Sequence, residues 1–173
     1  DPGLAACGWG VVKDDGRVLT AIGSGVLRTT TLPSAPARVE DIVEGIADVV
    51  LRYQPGTVAM EAYVQRWSSN RASARSHIEG ARVIGSICMR LRALGLRALE
   101  YPAAEWMRAI VGPRTNGLSA GRAMRLRLHL TRDPPEHASD ALGVEVYHAL
   151  LMRLLVRLVA SRQTAAHGLV SHA

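Results

Sequence analysis

DPGLAACGWGVVK, Asp1 to Lys13, is the stretch on which the reading of the chain turns. A carboxylate leads a Pro-Gly turn, and Gly8 to Lys13 (GWGVVK) has the composition of a strand. Asp14-Asp15-Gly16 is a hairpin turn. Arg17 to Arg28 (RVLTAIGSGVLR) then continues as one or two further strands. The chain therefore opens as an antiparallel meander, with an acidic residue at its lip.

Working outward, the period changes. Val39, Ile42, Val43, Ile46, Val49 and Val50 recur at helical spacing, with Ser34 as a possible cap and Gln54-Pro55-Gly56 as the stop after Tyr53. Thr57 to Met60 is a short buried strand that ends at Glu61. A helix is predicted over roughly Ser69 to Leu94, a strand over Leu96 to Tyr101, and a helix from Pro102 to Val111. A Gly/Pro/Asn loop, Gly112 to Gly117, leads to a helix from Ser119 to Leu130. The last helix starts near Glu136 and runs to about Arg162, leaving Gln163 to Ala173 as an expected flexible tail. A meander followed by alternating strands and helices predicts an α/β fold, a mixed sheet with helices on both faces. At 173 residues, one domain over 1–162 is expected.

The formal net charge is +6, the pI is about 10.1, and Lys13 is the only lysine. Arginine forks grip phosphate at two points, so this balance favours a nucleic-acid partner. A genome rich in G and C raises arginine use to the same effect, and composition weighs the two equally. Cys7 and Cys88 sit in unrelated contexts without metal-ligand spacing, which fits a reduced, cytoplasmic protein. The most apolar stretch, Ala141 to Ala160, is broken by Glu145, His148, Arg153 and Arg157. It reads as a packed amphipathic helix, so no membrane partner is expected.

Three acids stand out by placement. Asp1 precedes a glycine turn, Glu61 follows a strand, and Asp140 lies near a helix start, three residues after His137. Positions three apart share a helix face. Oxygen ligands with an imidazole suit Mg²⁺ or Mn²⁺. Two such ions about 4 Å apart can activate water and stabilise a leaving phosphodiester oxygen. Taken singly, each residue also fits a plain role: Asp1 as a turn former, Glu61 as an exposed strand end, Asp140 as an ion-pair partner, His137 as a capping neighbour.

DPGLAACGWGVV, GSGVLRT, RYQPGTVAMEA, YPAAEWMRAIVG and HASDALGVEVYHA, in that order and spacing, resemble the successive motifs of RuvC-type Holliday-junction resolvases. The resemblance covers nearly all of the chain to about Ala149. It implies an RNase H-like fold with a mixed five-stranded sheet and a homodimer on four-way junction DNA, with a branch-migration complex as a further partner. The implied reaction is a pair of symmetric nicks made with two Mg²⁺ ions, for which Mn²⁺ can substitute. Matched residue by residue, Asp1, Glu61, His137 and Asp140 take the catalytic and metal-binding positions. The glycines near Asp1 would let DNA backbone or a neighbouring strand approach. Such a carboxylate belongs at the end of a core strand, so residues upstream of Asp1 are expected.

The chain departs from the family at two places. Val64 stands where the family usually has a junction-wedging Phe, with Tyr63 and Trp67 beside it as rings able to stack on bases. Both rings fit a core edge equally well. Met107 stands at the position of a usual lysine, with Arg108 adjacent; Arg122 matches the second basic position. Arg71 and Arg75 on one helix face, and Arg122 and Arg125 on another, suit phosphates, as they suit ordinary solvation. Ile78, Ala81, Ile84 and Gly85 offer a dimer seam or a plain core face. His148 reads as structural. The main rival reading is a catalytically silent junction-binding relative, made possible by the missing Phe and Lys. A remoter one, suggested by the Asp-x-Gly turn, is an actin-like ATPase, which needs two such halves and a longer chain.

Overall fold

The computed structural model describes residues 1–30, 34–62, 71–113 and 118–170; for 71–76 and 163–170 it gives the backbone alone. Strand β1 (Ala6–Asp14) and strand β2 (Leu19–Arg28) form the expected hairpin, antiparallel, with an irregularity between Val11 and Val12. Its turn is held by Asp15 Oδ1, which accepts from the Arg17 and Val18 amides at 2.8 and 2.7 Å. Gly16 takes a φ of +87° that a side chain would resist.

Helix α1 (Ala35–Tyr53) begins as predicted, with Ser34 Oγ accepting from the Ala37 amide. Gln54 ends it in the left-handed region at φ +47°, its amide closing on the Val50 carbonyl at 2.8 Å. Strand β3 (Val58–Glu61) pairs in parallel with strand β4 (Ala98–Tyr101), Glu61 standing opposite Tyr101. Helix α2 (Arg71–Ala93) makes the crossover between them. After β4 come α3 (Ala103–Trp106), one wide π turn (Met107–Val111), α4 (Ala120–Arg127) and α5 (Glu136–Val170).

The mixed α/β class stands as expected. The strand count does not: the described residues carry four strands in two separate ladders, β1–β2 and β3–β4, in place of one five-stranded sheet. Between β1 and β3 lies a cleft of about 300 Å³, walled by Gly8, Val11, Val58 and Met60 and reaching Glu145 of α5. Among the described residues no ladder joins β1 to β3.

Two apolar clusters flank the ladders. Leu4, Cys7, Ile42, Met60, Val83 and Leu91 pack α1 and α2 against the strands. Trp106, Ile110, Met124, Leu142, Val144 and Val146 pack α5 against α4 and the π turn. His148 is structural, as read: it is buried, and its ring nitrogens meet the Tyr101 hydroxyl at 2.9 Å and Thr57 Oγ1 at 3.2 Å. Burial holds its pKa below the usual value, and the ring ties α5 to β4 and to the residue just before β3.

The α5 backbone runs helical to Val170, past the end expected at Arg162. Its first half is core, whereas Leu154, Leu155, Val156, Leu158 and Val159 are exposed. No described helix is long and apolar enough to cross a membrane.

Candidate metal-dependent nuclease centre

The site grows from the N-terminal turn. Thr29, the last residue of GSGVLRT, donates its hydroxyl to the Leu4 carbonyl at 2.6 Å and accepts from Arg38 Nε at 2.9 Å. With Leu4 buried in the core, the turn is pinned to β2 and α1. The turn then folds back on β1: the Gly8 amide donates to the Asp1 carbonyl at 2.9 Å, and the Asp1 amino group donates to the Gly8 carbonyl at 3.3 Å.

The start of α5 crosses β1 at the same point. A Cβ on Gly8 would fall 1.9 Å from the His137 carbonyl oxygen. The glycine expected to admit DNA or a strand thus admits a helix. Ser139 fixes that helix start by donating to the Pro134 and Pro135 carbonyls at 2.9 and 3.0 Å. As a result His137 Nδ1 lies 2.5 Å from Asp1 Oδ2, and the ring nitrogen donates to the carboxylate.

Glu61 arrives from the other ladder. Its strand end is held by the Ala62 amide donating to the Tyr101 carbonyl at 2.8 Å. Its Oε2 accepts from Trp106 Nε1 at 3.1 Å. The Asp140 carboxyl is held above its usual pKa by burial first, then by repulsion from Glu61 and Glu136, while His137 works the other way. Asp1, Glu61, His137 and Asp140 therefore share one electrostatic neighbourhood.

The expected compact ligand cage is not preformed: among the described residues no three His, Cys, Asp or Glu side chains are placed to hold one ion. Asp1 and His137 are instead bonded to each other. Their donor set nevertheless fits Mg²⁺ or Mn²⁺, being carboxylate oxygens with one imidazole. Acids that repel one another in a half-buried place are stabilised by a cation among them.

The sequence match of residues 1–148 is to the family model described as crossover junction endodeoxyribonuclease RuvC. The chain belongs to the RuvC family. A crossover junction endodeoxyribonuclease of Vibrio vulnificus (strain YJ016) is 28% identical over 97% of this chain and 94% of its own length. That of Yersinia pestis (strain Pestoides F) is 29% identical over the same shares. A solved Thermus thermophilus RuvC in complex with Holliday junction substrate superposes with a TM-score of 0.75, at 24% identity, over 89% of this chain and 92% of that one. The family is one of nucleases that hydrolyse DNA phosphodiester bonds, and the RNase H-like fold is shared.

The basic candidates divide. Arg108, on the π turn, and Arg122, in the first turn of α4, are exposed. Arg125 is already engaged, its Nε 3.0 Å from Asp133 Oδ1. Arg71 and Arg75 fall in the first turns of α2, where the backbone alone is described, and Tyr63 and Trp67 lie outside the described residues. Met107 is 41% exposed at the lysine position. On α2, Ile78, Ala81, Gly85 and Met89 form an exposed line, whereas Ile84 packs against the core.

Sequence reasoning missed two side chains. Trp106 is the only side chain seen donating to Glu61 among the described hydrogen bonds. Its signal was a Trp within a helix segment that needs a small partner, which Gly143 supplies. Glu145, on the cleft, is pushed up to about 7 by burial, against the pull of the Ala59 amide. Its signal was an acid inside an otherwise apolar run.

Proposed function

We propose that Asp1, Glu61, His137 and Asp140 form the metal-binding centre with which this chain nicks four-way DNA junctions. The observation that carries the reading is their convergence from three separate elements onto one end of the fold, with acids in excess. Bound Mg²⁺, or Mn²⁺ in its place, would supply a lowered pKa for attacking water and charge to stabilise the leaving oxygen, two ions sharing these tasks. The chain's own part is to hold carboxylate oxygens where cations gather. His137 holds Asp1, and the β3–β4 ladder holds Glu61. Arg108 and Arg122 would meet phosphates at the rim, with Arg71, Arg75 and, once released from Asp133, Arg125 extending the track. Tyr63 and Trp67 would stack on opened bases.

Strand symmetry needs two such sites, and the exposed line Ile78, Ala81, Gly85, Met89 supports a homodimer through α2. The cleft between β1 and β3 suits a further extended segment joined at the Asp1 nitrogen. Such a segment would close the sheet and set Asp1 at a core strand's end. A branch-migration complex and a cytoplasmic location belong to the same reading.

The test uses a synthetic four-way junction with Mg²⁺. Glu61→Gln and Asp140→Asn should abolish nicking and keep junction binding, and binding should weaken steeply with salt. Variants that nick at the normal rate overturn the assignment. A wild-type chain that binds the junction but never nicks it would favour the silent relative, for which Met107 at the lysine position is the supporting observation.

A further inference from the structure

We infer that Trp106 is a positioning residue for Glu61, and that Gly143 is its socket. The inference rests on the metal-binding role proposed for Glu61. The indole is fully buried, and its Nε1–H donates to Glu61 Oε2 at 3.1 Å. An indole nitrogen can only donate, so the bond fixes the carboxylate's rotamer without reversing its direction.

The identity of the donor matters. Glu61 and Asp140 repel each other. Left to itself, Glu61 would turn toward water. An arginine could hold it but would cancel the charge that attracts a cation. A neutral N–H holds one oxygen in place and leaves the full negative charge on the carboxylate. The anchor is set by the chain path: β4 ends at Tyr101, Pro102 starts α3, and one turn later Trp106 comes back over the end of β3.

The ring fits only because α5 has no side chain at 143. A Cβ there would lie 2.5 Å from Cζ3 and 2.8 Å from Cε3 of the indole. Gly143 follows Asp140 by less than one helical turn. The same segment of α5 therefore presents one candidate ligand and seats the residue that orients another.

The test replaces the donor and keeps the packing. Trp106→Phe, and a variant carrying 3-benzothienylalanine at 106 (sulfur in place of N–H, same ring shape), are compared with wild type. Mn²⁺ alone is titrated by calorimetry, and junction nicking is measured across Mg²⁺ concentrations. The benzothienyl variant should melt with wild type, bind Mn²⁺ about tenfold more weakly and nick about tenfold more slowly at fixed Mg²⁺, with junction affinity unchanged. Wild-type Mn²⁺ affinity and nicking in that variant overturn the inference. Glu61→Gln is run beside it. If Glu61→Gln also keeps Mn²⁺ binding and nicking, the metal role of Glu61 fails first and takes this inference with it. If Glu61→Gln abolishes both while the benzothienyl variant is normal, only the Trp106 role falls. Trp106→Phe, should it fold poorly, is set aside in favour of the isosteric variant, which decides alone.

Discussion

The N-terminal turn with β1 meets α5 in two places, and the two meetings are chemically opposite. At the far end, Arg153 of α5 donates its Nε to both carboxylate oxygens of Asp14, at 3.0 and 2.9 Å. Asp14 is held below its ordinary pKa, chiefly by that guanidinium. At the near end, the Asp1 carboxylate meets an imidazole in place of a guanidinium, and Asp140 is held above its ordinary pKa by burial and by Glu61. The same pair of elements neutralises one acid and leaves the others in excess. A fold seeking only stability would treat both ends alike. The difference is what the metal-binding proposal for the near end rests on, and it can be tested.

The comparison breaks most visibly if the near-end acids are removed. Asp140→Asn should lower nicking by about a thousandfold, the size expected when several kcal/mol of cation-supplied stabilisation is lost. In the absence of divalent ions the same variant should be no less stable than wild type at neutral pH, because the uncharged amide escapes the repulsion. Mg²⁺ at about a hundred times its dissociation constant should stabilise wild type by about 2.7 kcal/mol, and Asp140→Asn far less. Thermal melts with and without Mg²⁺ check both statements. Equal Mg²⁺ stabilisation of the two chains would erase the distinction between the ends.

Next in size is Gly8→Ala. With a Cβ 1.9 Å from the His137 carbonyl, α5 must lift from β1, at a cost of about 3 kcal/mol. Denaturant unfolding measures it. The same change at Gly16, where a Cβ meets nothing within 4 Å, should cost less, arising from the φ of +87° alone.

Much of this was legible in the residues. The hairpin, the four main helices and the strand end bearing Glu61 follow from local period and from turn formers, which act within a few residues. What was not legible depends on distant partners. The Trp106–Glu61 bond spans 45 positions, and neither residue announces the other. Arg125 looked available for phosphate until Asp133 took it. Ile84 sat in the expected seam until packing turned it inward. The helical backbone of α5 continues past Arg162 to Val170, where terminal position alone suggests a frayed tail. Whether strands join into one sheet is likewise a long-range question, and among the described residues the two ladders stand apart.

Glu145 sharpens the contrast from the cleft side. Its raised pKa, about 7 against an ordinary 4.5, means the folded chain holds the proton more tightly than the unfolded one. Below about pH 4.5 the side chain is neutral in both states and carries no penalty. As pH rises toward 7 the folded state becomes less favourable, by up to about 3 kcal/mol. Glu145→Gln should therefore match wild type near pH 4.5 and exceed it above neutrality, as melts across that range would show. A pH-independent difference would mean that Glu145 is solvated when charged.

The smallest effect belongs to the far end. Arg153→Ala should leave nicking and Mg²⁺ stabilisation unchanged and lower the melting temperature slightly, because the pair is partly solvated. The sign with pH is fixed by Asp14. Its folded pKa lies below the unfolded 3.8, so the pair's contribution is complete above that value and is lost as pH falls through the folded one. Arg153→Ala should remove most of this acid-side decline and Asp14→Asn all of it, because the Gly16 amide also holds the Asp14 carboxylate, with the double variant adding little to Asp14→Asn. If Arg153→Ala instead slowed nicking, the far end would be coupled to the near end through α5. The helix would then be transmitting position along its length, and the two meetings could no longer be treated as separate.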